Sequence, residues 1–547
     1  MRLRILALRV ALGLLALVPL CPFTVSLRAQ DLRPLAGRIN VAEVDQVLRA
    51  GDELERARKW GEALAYYEQA LRAHPDLPDL EQRLSGARLH YEIISRYADR
   101  SFLSCLQQLR EAEALDLYGE VLLNVESHYV ETPDWRRFVE QGISATETAL
   151  GETAFLQRYT LQVTPEQSQQ LVSHLRQSMA GRPIRSRHDA RDCAALIART
   201  CQRELGLAPQ VVILEFACAV ATSLDEYSSF LTGDQMDEVL SQIEGNFVGL
   251  GVELKADIDA LLIVNVIPGG PADAAGIRGG ERIVQVDGRS LREVSTETAA
   301  DMLKGVEGSS VQVAVVSSTG ETRQLQLQRR RVEVPSVDRA SLLDRQHGVA
   351  YMRLTSFQKT TVRDVDAALW KLHREGMQCL ILDLRGNPGG LLTASVDVVD
   401  RFVAQGAIVS TRGRSPGEDY DYQAQLVGTW RVPLVVLIDE NSASASEIFA
   451  GAIRDHHRGT LVGARSYGKG SVQGIFPLGT THAGLRLTTA RFYSPGGQPI
   501  SRRGVQPDVL VHVAAKPDSS GATVNLNRSD VVLDAAVGIA RQNVAER

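Results

Sequence analysis

Along residues 41–237 the apolar positions recur every three or four residues, the spacing of helices that bury one face. Leu103, Leu106, Leu109, Leu115, Leu117 and Val121 form one such stripe, and residues 209–220 read as a second, strongly apolar helix. Residues 182–189 interrupt the pattern with Arg, Ser, His and Asp and read as a loop. At Gly245 the texture changes to short apolar runs separated by glycine and proline. Strands are predicted at residues 247–254, 261–267, 282–286 and 311–316, with a turn and short helix at 268–277 and a tight turn at Asp287 and Gly288. From residue 348 strands and helices alternate. Residues 379–384 and 434–438 are continuous apolar strands; each runs into a polar loop, 385–390 or 439–447, and then a helix, 391–403 or 445–455. Two successive strand–loop–helix units predict an α/β core with a mainly parallel sheet, whose sites lie beyond the carboxyl ends of its strands.

Two stretches carry specific resemblances. Residues 57–75 resemble one tetratricopeptide unit, with Ala63, Tyr67, Ala70 and Pro75 at that repeat's positions. An ordinary helical hairpin would read the same way. A single unit cannot bury its own face, so it is expected to dock on neighbouring helices or on a protein partner. The order of strands and turns from 240 to 331 resembles a PDZ domain. The resemblance puts Gly249, Leu250, Gly251 and Val252 on the loop whose backbone N–H groups receive a peptide carboxylate, while the adjacent strand edge adds the peptide as a further strand.

Composition narrows the class. The 547 residues predict three or four domains at about 150 residues each. With 44% apolar and 23% charged residues the chain is globular, not disordered. The long apolar run is confined to the N-terminus, which excludes a polytopic membrane protein. A net charge of −6 argues against a broad nucleic-acid surface. Arg2 and Arg4, the apolar stretch to Leu20 (interrupted by Arg9) and residues 27–29 before Gln30 read as an export signal, with an uncleaved membrane anchor as the alternative. Cys21 follows Leu20 and is a poor lipoprotein site. Losing residues 1–29 removes four Arg and no acids, leaving a charge of −10. The five remaining cysteines are odd in number and irregularly spaced, so they are expected to be buried thiols. Only 7 of the 60 basic residues are Lys, so a Lys in a glycine-rich loop stands out.

Ser442, Ser444 and Ser446 alternate with alanines between a buried strand and a helix start. A serine there either caps the helix or serves as a nucleophile, because the free N–H groups of the helix can stabilise an oxyanion. His456 sits roughly 18 Å along the helix from Ser444, too far to be its base; His456 and His457 are expected to be solvated or to cap the helix end. The zinc-protease motif HExxH is absent, and no metal or cofactor is expected. Lys469, between Gly468 and Gly470, is the better base: burial lowers a lysine pKa, and the neutral amine can take a serine proton. Gln473, four residues on, could orient that amine. Gly463, Gly468 and Lys469 nearly match a phosphate-binding loop. Gly470 replaces its Ser/Thr, and residues 472–476 read as strand where that loop needs a helix, so no nucleotide is expected.

Together these segments resemble the carboxy-terminal processing, or tail-specific, proteases, S41-type serine peptidases with a PDZ domain. The match rests on residues 223–230, 382–390, 441–448, 466–473, 490–500 and 504–508, in the family's order, and covers about residues 220–512. The resemblance implies a helical N-terminal region, an inserted PDZ β-domain and an α/β Clp/crotonase-like core, an α+β multidomain chain. The boundaries expected are 1–29 for the signal peptide, 30–85 for the tetratricopeptide-like unit, 86–239 for further helices, 240–331 for the PDZ domain, 332–515 for the protease core and 516–547 for a tail. It also implies Ser444 as nucleophile, Lys469 as base, Gln473 as the assisting residue, and an oxyanion hole of Ala445 and Gly390, the latter preferred to Gly389. Substrates would be proteins held by their C-terminal tails, cleaved outside the cytoplasm, with the PDZ domain gating the site. A catalytically silent peptide-binding scaffold is the competing reading. The chain departs from the family at Leu224-Asp-Glu-Tyr-Ser228, where Leu-Asp-Pro-His-Ser is usual. That segment is structural in the resemblance, so little effect on the chemistry is expected. The helical residues 150–215 and the tetratricopeptide-like unit are additions.

Overall fold

The structure, a computed structural model, describes residues 41–511 and 530–546 apart from 75–76, 258, 293, 295, 426–428 and 480. The expected signal peptide and Pro75 lie outside the described residues. No helix among the described residues is long and apolar enough to cross a membrane.

The N-terminal half is helical because its apolar positions keep the helix period. The stripe from Leu103 to Val121 belongs to two helices, Arg100–Gln108 and Glu111–His128, broken at Leu109. The polar run at 182–189 is a loop only as far as Ser186. Its hydroxyl accepts from Asp189 N at 3.2 Å, starting the helix Arg187–Leu205, so the Asp there is a cap and not a loop residue. Helix Pro209–Leu224 is buried on all sides, which explains why its sequence is apolar without amphipathic alternation. The tetratricopeptide-like hairpin, Trp60–Ala73 against Pro78–Ala98, buries Ala63, Tyr67 and Ala70 with Leu80 and Ala87. It docks on the neighbouring helices: Glu152 pairs with Arg58 and with His90, the latter at 2.6 Å. None of the five described cysteines is in a disulfide, and all but Cys105 are buried.

The predicted strand at 247–254 is split. Asn246–Gly249 ends before Leu250 and Gly251, and Val252–Asp257 begins a separate sheet. Gly251 turns the chain with φ +76°, and a Cβ there would lie 3.3 Å from the Gly270 Cα. Val252–Asp257 forms one edge of the sheet, followed in order by Ala260–Val266, Arg282–Val286, Ser310–Val316 and Thr322–Gln328. Asn246–Gly249 instead pairs antiparallel with Arg330–Glu333, so the chain enters and leaves this domain along one two-stranded ribbon. At the base of the ribbon Val334 N donates to Gly245 O at 2.8 Å. Gly245 sits so close to Gln358 that a Cβ would lie 2.7 Å from its Oε1.

The C-terminal half is built on a six-stranded sheet in the order Val337–Asp344, Val349–Leu354, Cys379–Asp383, Leu434–Ile438, Thr460–Gly463 and Val509–Leu510. All neighbours are parallel except the first pair. Alternate residues of Leu434–Ile438 point to opposite faces. Leu434, Val436 and Ile438 pack with helix Ala445–Asp455, and Val435 and Leu437 pack with helix Val531–Ala545. Burial on both faces is why these strands read as unbroken apolar runs. A second sheet places Gly484–Tyr493 between Ser229–Leu231 and Ala407–Gly413, with Ser471–Pro477 also paired to it. Ser229–Leu231 comes from the helical half, so the two halves share a sheet.

Candidate active site

Strands Cys379–Asp383 and Leu434–Ile438 are parallel neighbours, so their following loops emerge side by side. The serine run fastens them together. Ser442 Oγ donates to Leu384 O at 2.8 Å and Ser446 Oγ to Asn387 O at 2.9 Å, while Ala443 N donates to Asn387 O at 3.1 Å. The outer two serines are thereby committed. Ser444 starts helix Ala445–Asp455 without a side-chain cap bond. Its φ of 55° and ψ of −112° are a conformation that costs about 1–3 kcal/mol in a non-glycine residue and persists only where neighbours impose it. Two fastened flanking serines impose it here.

Lys469 approaches from the loop after strand Thr460–Gly463 and is 1% exposed. Its glycine neighbours are required by contact. A Cβ on Gly470 would lie 2.3 Å from Ser501 N, so the Ser/Thr of a phosphate loop does not fit, and residues Ser471–Pro477 form a strand. Burial pushes the lysine down to about 7, helped by the charge of Arg486 and opposed by Glu226, Asp225 and Glu447. The lysine nitrogen is not hydrogen-bonded to Ser444 in this arrangement; it lies 4.3 Å from the centroid of the Tyr227 ring. Gln473 is 1% exposed and donates through Nε2 to Ser471 Oγ at 2.9 Å, leaving a buried Oε1 without a partner.

One carboxylate joins the two loops. Glu447 Oε2 accepts from Ser444 N at 2.7 Å and from Lys469 N at 2.8 Å. Its Oε1 accepts from Gly468 N at 2.7 Å and Ser466 Oγ at 2.5 Å. Glu447 is fully buried, and burial pushes its carboxyl up to about 7 against the pull of those four donors. The backbones of Ser444 and Lys469 are thus held by a single oxygen atom.

The first N–H of the helix, that of Ala445, is unpaired by helix geometry. Across from it, Gly389 packs so tightly that a Cβ would lie 2.9 Å from both Ala445 N and Ser444 Cβ. Gly389 N is committed to Asn387 Oδ1 at 2.9 Å. Gly390 bridges to Phe357, whose N donates to Gly389 O and whose O accepts from Leu391 N, a pattern that leaves the Gly390 N–H unused. In the PDZ sheet, the carbonyls of Leu250 and Gly251 are fixed by Ala272 N and Ile267 N, both at 2.9 Å, beside the open edge Val252–Asp257.

The structure joins Ser444 and Lys469 through Glu447, sets Gly389 against Ala445, keeps Gln473 on the strand that follows Lys469, and sets Gly249 to Val252 apart from them. Sequence reasoning missed Glu447, Arg486 and Tyr227. The spacing Ser444-x-x-Glu447 is that of a capping box and could have pointed to Glu447. Residues 224–228, expected to be structural, place the Tyr227 ring against Lys469. Among the described residues no cluster suited to a metal ion occurs.

If the neutral amine of Lys469 is the working form, cleavage rises with pH through about 7, as the ammonium gives up its proton. A rate profile on an unfolded protein that is flat from about pH 5 to about pH 9 would contradict this.

Residues 348–511 match the model of Peptidase family S41, and residues 240–316 match the PDZ domain. The chain is 36% identical over 316 residues to the carboxy-terminal-processing protease of Bartonella bacilliformis, covering 56% of this chain and 71% of that protein. It is 32% identical over 327 residues to the carboxyl-terminal-processing protease of a Picosynechococcus species, covering 59% and 77%. A solved structure, the photosystem II D1 C-terminal processing protease, aligns with 73% of this chain and 92% of that chain at 26% identity and a TM-score of 0.38. With the S41 segment spanning the loops of Ser444 and Lys469 and the PDZ segment inserted before it, this chain belongs to the carboxy-terminal-processing protease family.

Proposed function

We propose that the chain is a serine endopeptidase that cleaves proteins near their C-termini through a Ser444–Lys469 dyad. The observation that carries this is a buried lysine, pushed down to about 7 by burial, whose backbone shares one carboxylate oxygen with a strained serine at a helix N-terminus. Lys469 Nζ takes the Ser444 proton as Oγ attacks the peptide carbonyl carbon. The N–H groups of Ala445 and Gly390 hold the oxyanion. The lysine then gives its proton to the leaving amine, and the peptide bond breaks to an acyl ester on Ser444. A water gives a proton to Lys469 as its oxygen attacks that ester; the acyl–Oγ bond breaks, Lys469 returns the proton to Ser444 Oγ, and the new C-terminal carboxyl group leaves. Gln473, with a free buried oxygen, steadies the amine.

The PDZ domain supplies the tail preference. The nest of residues 249–252 receives the substrate carboxylate, and the edge strand Val252–Asp257 pairs with the residues before it. The basic and apolar N-terminus supports action after export.

The test is twofold. A fluorophosphonate should label the peptide containing Ser444, and an unfolded protein substrate with a free C-terminus should be cleaved faster than its C-terminally amidated form. Label on another serine sinks the nucleophile; equal rates sink the tail recognition.

A further inference from the structure

Tyr227 is placed with unusual firmness for a residue on a connecting turn. It lies between the buried helix Pro209–Leu224 and the strand Ser229–Leu231. The Asp225 carboxylate accepts from Tyr227 N at 2.7 Å, from Ser228 N at 2.8 Å and from Ser228 Oγ at 3.0 Å. Ser228 Oγ in turn accepts from Thr488 N at 3.2 Å, which fixes the turn to strand Gly484–Tyr493. The following residue, Ser229, stands opposite Arg486 in the same sheet. The helical half of the chain thereby sets one aromatic ring into the catalytic centre of the other half.

That ring faces Lys469 Nζ at 4.3 Å. A cation within about 6 Å of a ring centroid is attracted by the ring quadrupole, most strongly when both are out of water. The charged groups around the lysine are Arg486 from strand Gly484–Tyr493, Asp225 and Glu226 from the turn, and Glu447 from helix Ala445–Asp455. Arg486 opposes an ammonium there; the carboxylates favour one. Both Glu447 oxygens are occupied by backbone N–H groups, and Asp225 is occupied by its own turn. No hydrogen bond from Lys469 Nζ to any of these carboxylates exists among the described residues. The ring stands in direct contact with the amine.

Acyl transfer creates a cation at this spot. Burying a charge without a partner is expensive, and it is more so beside a second cation. The neutral amine gains little from the ring, whereas the ammonium gains much, so the contact strengthens as the serine proton is transferred. Building on the dyad reading above, we propose that Tyr227 is a positioning residue for the general base: its ring receives the Lys469 ammonium formed when Ser444 gives up its proton and holds it until the leaving amine takes that proton.

Electron density in the ring can be varied without changing its shape. In the full chain, Tyr227→Phe and phenylalanines bearing one, two and three ring fluorines at position 227 form a series in which the quadrupole weakens stepwise. The rate of cleavage of an unfolded protein is measured across pH for each, beside Ser444→Ala. Tyr227→Phe is the unfluorinated reference against which the rest of the series is read. Each fluorine is expected to lower the pH of half-maximal kcat, because the ammonium loses support, and to lower the plateau kcat with KM unchanged. Across the series the displacement is expected to reach about one pH unit and the loss about tenfold, which correspond. A side chain that only fills space predicts a flat series, and a flat series with Ser444→Ala inactive overturns this role while leaving the dyad standing. Cleavage persisting in Ser444→Ala overturns the dyad, and this role with it.

Discussion

Ser444→Ala is expected to lower kcat on an unfolded protein by on the order of 10⁶-fold, the scale for removing a serine nucleophile. Lys469→Ala is expected to cost about 10²–10⁴-fold, the range for a positioned general base. Because the two act in one step, the double variant should be no slower than Ser444→Ala alone. Lys469→Arg is the sharper test. It keeps charge and length, yet a guanidinium does not deprotonate near neutral pH, so it should be as inactive as the alanine variant. In a chain where 53 of 60 basic residues are arginine, a lysine at this position is what the dyad reading requires. Arginine at 469 with more than a tenth of the parent rate would mean that the residue acts only as a cation.

Glu447→Gln should be the most damaging single change that leaves side-chain shape intact. The carboxylate accepts four donors with two oxygens, one pair of them the backbone N–H groups of Ser444 and Lys469. An amide keeps one oxygen and presents N–H where the other was. At least one buried backbone N–H is then left facing a donor, at about 1–3 kcal/mol for each group unsatisfied. Placing the amide at Oε2 would strand both catalytic backbones, for a total of about 2–6 kcal/mol. The expected result is a lower melting temperature together with a fall in kcat far larger than any change in KM, since the loops holding nucleophile and base lose their common anchor. An active variant with unchanged melting temperature would show that the two loops are held independently.

The strand–loop–helix units were legible because strands buried on both faces cannot alternate, and Leu434–Ile438 is apolar at every position. Helix Ala445–Asp455 has the limits its sequence predicts. The division of residues 247–254 was not legible, since β-propensity does not register that Gly251 is needed to clear Gly270. Nor was the helix start at Arg187, where polarity that suggests a loop in fact satisfies the first N–H groups. Within the site, the serine run and the glycine-flanked lysine were visible because their chemistry is local in sequence. Tyr227 was not, because it is brought to Lys469 by a strand pairing between residues some 255 positions apart, and nothing local to the turn encodes that. Which of three serines carries a free hydroxyl was likewise decided only by what Leu384 and Asn387 offer the outer two.

The antiparallel ribbon of Asn246–Gly249 and Arg330–Glu333 has a mechanical consequence. A domain carried on two strands bonded side by side cannot slide or spin freely; it can only pivot about the ribbon's foot, like a lever on a fixed axle. That axle is Gly245, which presses on Gln358, and the neighbouring Phe357 clamps Gly389 and Leu391 on either side of Gly390. Any tilt of the domain would therefore reach the loop of Gly390 by a short route, one peptide link from Gln358 to Phe357 and then the two hydrogen bonds of Phe357.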